Sequence, residues 1–119
     1  MTHYDFLGQA IQFRLQMDQP IGKDADLSLQ RNLIREEYWE FNQAVADYKP
    51  DEYALKELAD LVFVCFQYAT AAGGELDEAL DRVFKSNMSK LENGKPVKNK
   101  EGKVTKGRNY KPPYLEDLV

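Results

Sequence analysis

Five carboxylates on two short segments carry the chemistry open to this chain. Glu36, Glu37 and Glu40 form the run Glu-Glu-x-x-Glu, and Glu57 and Asp60 form Glu-x-x-Asp. In a helix, residues three or four apart share a face. Glu37 then lies beside Glu40, Glu36 leans over Glu40, and Glu57 lies beside Asp60. A solvated acidic face is the plain explanation of such pairs, with lysines one turn away as its usual company. The residues four places after the five acids are Glu40, Phe41, Ala44, Leu61 and Val64, none of them basic. Arg35 and Lys56 adjoin acids in the chain and are expected to point elsewhere on the wheel. Asp60 stands in the apolar stretch LADLVFVCFQYATAA, residues 58–72. A buried, unpaired carboxylate is costly or is forced to protonate. A divalent cation among the acids removes that conflict. All-oxygen ligands favour Mg²⁺, Mn²⁺ or Ca²⁺ over zinc, and Mg²⁺ keeps coordination positions for water and substrate phosphates. A catalytic phosphate site is therefore expected over a structural one. Di-iron bundles use Glu-x-x-His on two helices. The only histidine, His3, lies in no such motif.

The elements that must position these acids read as helices. Apolar residues recur at helical spacing over about residues 2–18, 28–48, 51–72 and 76–91. Thr2 is expected to cap the first helix, with Asp5 three residues on. Pro50 ends the second, Asp51 caps the third, and Gly73-Gly74 stops it. Nearly every direction around residues 58–72 is apolar, so the third helix is expected to be buried on most sides. Four short helices of one chain can hardly achieve that. The expected fold class is an all-α, four-helix-bundle subunit completed by oligomerisation, as a homodimer or homotetramer.

A chain of 119 residues, 43% hydrophobic, has the size and composition of one globular domain. One cysteine, Cys65, excludes an internal disulfide framework and reads as a small buried hydrophobe. The longest apolar stretch, residues 61–66, is far short of the roughly 20 residues a membrane helix needs. MTHYDF has no basic lead into an apolar segment, so no secretory signal is expected and the location expected is cytoplasmic. The net charge of −4 conceals a split: residues 1–92 carry −8, residues 93–113 carry +6 and the last six carry −2. Such a balance argues against nucleic-acid coating, which needs a broad positive face. Residues 93–119 read as a basic tail, with a hairpin over residues 95–106 that turns at Glu101-Gly102 between Val97 and Val104. In that tail Lys106, Arg108, Asn109 and Tyr110 are candidates for phosphate or nucleotide contact, because guanidinium matches phosphate geometry. Trp39 and Tyr38 read mainly as packing, with base stacking by Trp39 a minority reading. Gln9, Gln12 and Phe13 could line a base pocket.

The segments REEYWEFNQA and ELAD together resemble the EExxE…ExxD signature of the all-α nucleotide pyrophosphohydrolases. That superfamily holds MazG-like proteins, dimeric dUTPases and phosphoribosyl-ATP pyrophosphohydrolase. The likeness covers about residues 1–92, the helical catalytic domain it implies. KSNMSKLENGKP and GKVTKGRNYKPP also look like the tail of phosphoribosyl-ATP pyrophosphohydrolase-like members. The resemblance implies that water cuts a nucleoside triphosphate between its α and β phosphates, leaving the monophosphate and pyrophosphate. It implies that Glu37, Glu40, Glu57 and Asp60 hold Mg²⁺, with Mn²⁺ a substitute. Glu36 would bind a further Mg²⁺ or help activate the water. Asn87 and Lys90 would face substrate phosphates, although lysines near a helix C-terminus also compensate its dipole. Histidine-pathway members commonly carry a His soon after the ExxD aspartate, where this chain reads LVFVCFQY. Nucleotide-pool house-cleaning is therefore favoured over phosphoribosyl-ATP hydrolysis. A non-catalytic helical module, using its acids for a basic partner or a structural ion, is the alternative from another class.

Overall fold

The computed structural model describes residues 3–22 and 26–119. It is all-α, with α1 at Phe6–Gln16, α2 at Leu27–Ala46, α3 at Asp51–Ala72 and α4 at Leu76–Met88, then a 3-10 turn at Glu116–Leu118. Among the described residues no helix is long and apolar enough to cross a membrane. Two compact units divide the chain, the first reaching Leu76 and the second covering Asp77–Val119.

In the first unit α3 packs against both α1 and α2. Thr2 lies outside the described residues. Asp5 is the α1 cap, accepting the Gly8 N–H at 2.8 Å. A Cβ at position 8 would run into that carboxylate, so glycine admits the cap. Asp26 caps α2 in the same way, from Leu29 N–H at 3.1 Å. The α2–α3 turn follows from Tyr48, in the left-handed region at φ 53°, and from Pro50. Pro50 is the N-cap of α3 and offers no side-chain acceptor. Asp51, expected as the cap, instead sits in the first turn with Glu52, where negative charge complements the helix dipole. Gly73 closes α3 at φ 80°, with Gly74 N–H donating to Ala69 O at 2.8 Å.

The α1–α3 contact is aromatic and polar together. Phe13 meets Phe63 edge to face at 5.2 Å. Arg14 is only 1% exposed, and among the described residues no carboxylate pairs with it. Its Nε–H donates to Pro20 O at 2.9 Å, and its terminal N–H donates to Gln67 Oε1 at 3.3 Å. Burial lowers its pKa from the usual guanidinium value. Arg14 thereby ties the chain leaving α1 to the middle of α3.

Within one chain α3 is not buried on most sides. Phe66, Gln67, Thr70 and Ala71 are its buried residues, whereas Leu55, Leu58, Val62 and Phe63 are 39–67% exposed. Two neighbouring helices cover only part of a helix that is apolar nearly all round. An apolar groove of about 430 Å³ runs along the uncovered side, between Phe6, Leu55, Leu58 and Phe66.

In the second unit the tail is laced along α4. Arg82 grips Asp117 through both carboxylate oxygens at 2.6 and 3.0 Å and donates to Tyr114 O at 2.9 Å. Ser86 Oγ–H donates to Lys111 O at 2.7 Å, and Lys111 N–H donates to Ser89 Oγ at 2.9 Å. Ser89 also bonds back to Ser86 O, and α4 ends at Met88 instead of about residue 91. The expected hairpin is present in short form: Asn99 N–H donates to Lys103 O at 2.9 Å and Thr105 N–H to Val97 O at 2.7 Å, without extended strands. Lys98 and Val104 form an isolated bridge, Gly102 is at φ 83°, and Asn99 Oδ1 accepts from the N–H groups of Glu101 and Lys103. The tail passes so near α4's end that a Cβ at Gly107 would come within 2.6 Å of Lys90 O.

Candidate metal centre

Helical spacing stacks Glu37 and Glu40 on one side of α2, and α3 brings Glu57 across to meet them. Carboxylate oxygens of the three residues lie within 4.8 Å of one another. Glu37 and Glu57 are half-buried, while Glu40 is exposed. Glu37 Oε2 and Glu57 Oε2 are buried with no hydrogen-bond partner among the described residues. The Glu37 carboxyl is pushed above the usual carboxylate range, by burial first, then by the charge and hydrogen bond of Glu40, then by Asp60 and Glu57. Clustered like charges and orphaned acceptors both raise the free energy of this arrangement. A divalent cation answers both, and an oxygen-only donor set fits Mg²⁺, Mn²⁺ or Ca²⁺.

The remaining two acids stand apart from this trio. Asp60 neighbours it but is held by Lys56, whose Nζ lies 2.7 Å from Asp60 Oδ2 and 3.7 Å from Glu57 Oε1. The Asp60 side chain is 37% exposed. Two expectations are therefore corrected. Lysine pairing is present, and Asp60 is neither fully buried nor unpaired. The signal was four residues before Asp60, because an i,i+4 pair can place its base first. The bond to Asp60 and the charges of Asp60 and Glu57 raise the Lys56 pKa. Glu36 is exposed on the outer side of α2, outside the converging group.

Residues proposed for phosphate contact lie in the second unit. Arg108, Asn109 and Tyr110 border one open pocket of about 520 Å³, with Ser89, Leu91 and Lys111. Arg108 pairs with Glu92 at 2.8 Å, and Lys106 Nζ sits 4.9 Å above the Tyr110 ring. Asn87, exposed at the end of α4, and Lys90 are not among that pocket's walls. Lys85 is paired with Asp81 at 2.8 Å. On α1, Phe13 is engaged with Phe63, and Gln9 borders the apolar groove. Helical spacing puts that side of α3 away from Glu57 and Asp60. Among the described residues no pocket joins Gln9 to the acids of the same chain.

Beside Glu40 and Glu57 opens a smaller pocket of about 210 Å³, walled by residues of α2, the turn and α3. Its polar members, Gln43, Asp47 and Lys49, were not singled out by motif, since their chemistry emerges only where the two helices meet.

A family model for the MazG nucleotide pyrophosphohydrolase domain matches residues 26–97. The chain belongs to the MazG family. The MazG match contains all five acids, together with Asn87 and Lys90, and ends before Lys106. No curated protein matches the chain.

Proposed function

We propose that this MazG-family chain is a Mg²⁺-dependent hydrolase that cuts a nucleoside or deoxynucleoside triphosphate between the α and β phosphates. The observation that carries the reading is the convergence of Glu37, Glu40 and Glu57, with two buried carboxylate oxygens lacking partners among the described residues, inside the matched domain. Glu37, Glu40 and Glu57 would hold the cation, with Asp60 joining them by exchanging Lys56 for it. The bound cation supplies positive charge to the phosphate oxygens and to the attacking water. The helices fix Glu37 and Glu57 before substrate arrives, so little reorganisation is needed at the moment of reaction. Glu36, one turn from Glu40 on α2 and exposed, would have to turn towards the cation to accept the proton that water loses as its oxygen bonds to phosphorus. The bridging P–O bond breaks, leaving the monophosphate and pyrophosphate. Asn87, Lys90, Lys106, Arg108, Asn109 and Tyr110 would take the phosphates. The cellular role that suits a hydrolase of this kind is removal of unwanted nucleotides from the cytoplasmic pool.

The uncovered side of α3 supports a second part of the reading, that the working form is a homodimer or homotetramer. The test of the activity is direct. Incubation with canonical and modified triphosphates and Mg²⁺ should yield monophosphate and pyrophosphate. Diphosphate and orthophosphate, or no turnover with any nucleotide, would refute it.

A further inference from the structure

We propose that the pocket beside Glu40 and Glu57 takes the base of the substrate, and that it selects bases carrying an exocyclic amine. This rests on the pyrophosphohydrolase reading and names the substrate class of the same site. Trp39, Gln43 and Asp47 recur on one side of α2, Tyr53 stands on the first turn of α3, and Lys49 lies in the turn between. Ala44, 8% exposed, leaves room between them. The space, about 210 Å³, admits one planar ring system and not a whole nucleotide. Its walls include Glu40 and Glu57, so a base seated there has its phosphates beside the converging acids.

The rings and the polar groups point the same way. Trp39 and Tyr53 are 62% and 54% exposed, so neither is engaged in the core. Exposed aromatic faces stack on any base. Gln43, Asp47 and Lys49 make no side-chain hydrogen bond or ion pair among the described residues. Asp47 offsets the charge of Lys49, so the part of the pocket away from the converging acids suits a neutral ring. A carboxylate only accepts hydrogen bonds. Asp47 can therefore pair with the amine of cytosine, adenine or guanine, and would oppose the O4 carbonyl of uracil or thymine. Gln43 supplies a donor and an acceptor for the neighbouring ring positions.

Trp39 is the only tryptophan in the chain, so emission excited beyond the tyrosine absorption band reports on this pocket. The experiment titrates the protein, with Mg²⁺, against the uncleavable α,β-methylene analogues of dCTP, dATP and dTTP. The dCTP and dATP analogues should change Trp39 emission saturably, at least one of them binding at least about tenfold more tightly than the dTTP analogue. Asp47→Asn should bring that preference close to parity while calorimetry shows unchanged affinity for inorganic tripolyphosphate. Equal affinity for all three analogues, or a Trp39 signal fully reproduced by tripolyphosphate, would overturn the proposal and leave the hydrolase reading standing. Absence of turnover with every nucleotide would overturn the reading on which it rests.

Discussion

At the scale of single residues, the candidate centre is governed by which charges have partners. Glu37 and Glu57 have buried oxygens with none among the described residues. Replacing Glu37 or Glu40 by Gln should cut kcat/KM by about 10²–10³-fold with helical content unchanged by circular dichroism. The same variants should abolish the stabilisation by Mg²⁺, which for a ligand at 100 times its dissociation constant is about 2.7 kcal/mol. Asp60 has a different partner, and two variants separate its roles. If it serves the cation, Asp60→Ala loses Mg²⁺-dependent turnover while Lys56→Ala keeps it. If it only balances Lys56, the two variants behave alike in a steady-state assay. The acids themselves were legible in sequence, because carboxylates three and four apart stack on any helix. The Lys56–Asp60 pair is equally local, with the base placed one turn before the acid.

At the scale of elements, buried polar links set the path of the chain. Arg14 joins α1, the segment at Pro20 and α3. Arg14→Ala should lower unfolding stability by about 2–4 kcal/mol in urea titration, since it leaves a cavity and an unpartnered Gln67 carbonyl. In the second unit Arg82 clamps the tail. Its hydrogen bonds hold the Asp117 carboxyl below its ordinary value of 3.8. A carboxylate with a depressed folded pKa contributes stability fully above its unfolded pKa and loses it as pH falls through the folded one. Hydrogen exchange at residues 114–118 should therefore be independent of pH-linked opening near neutrality and should show the tail loosening only below about pH 3.8. Asp117→Asn should show that loosening at neutral pH. Helix existence and most ends were readable from apolar spacing, Pro50 and Gly73-Gly74. The shift of the α3 cap and the early end of α4 were not, because they depend on backbone geometry at Tyr48 and on the Ser86–Ser89 bonds to Lys111.

At the scale of the whole molecule, the proposed assembly rests on the open apolar side of α3. Leu58→Glu should convert an oligomer to a lower-mass species by light scattering, with loss of thermal stability; unchanged mass would mean that another surface joins the copies. The sequence by itself determined the all-α class and the five acids with their oxygen-only donor set, because these follow from helical periodicity and side-chain chemistry. It also marked α3 as too apolar for one chain to cover. Tertiary structure alone decided that Glu37, Glu40 and Glu57 converge while Asp60 is held by Lys56. It alone opened a pocket between Trp39 and Tyr53 at that site. The physical reason is distance. Residues on one helix meet by periodicity, whereas residues on α2 and α3 meet only through the angle of the turn at Tyr48 and Pro50 and the packing beneath it.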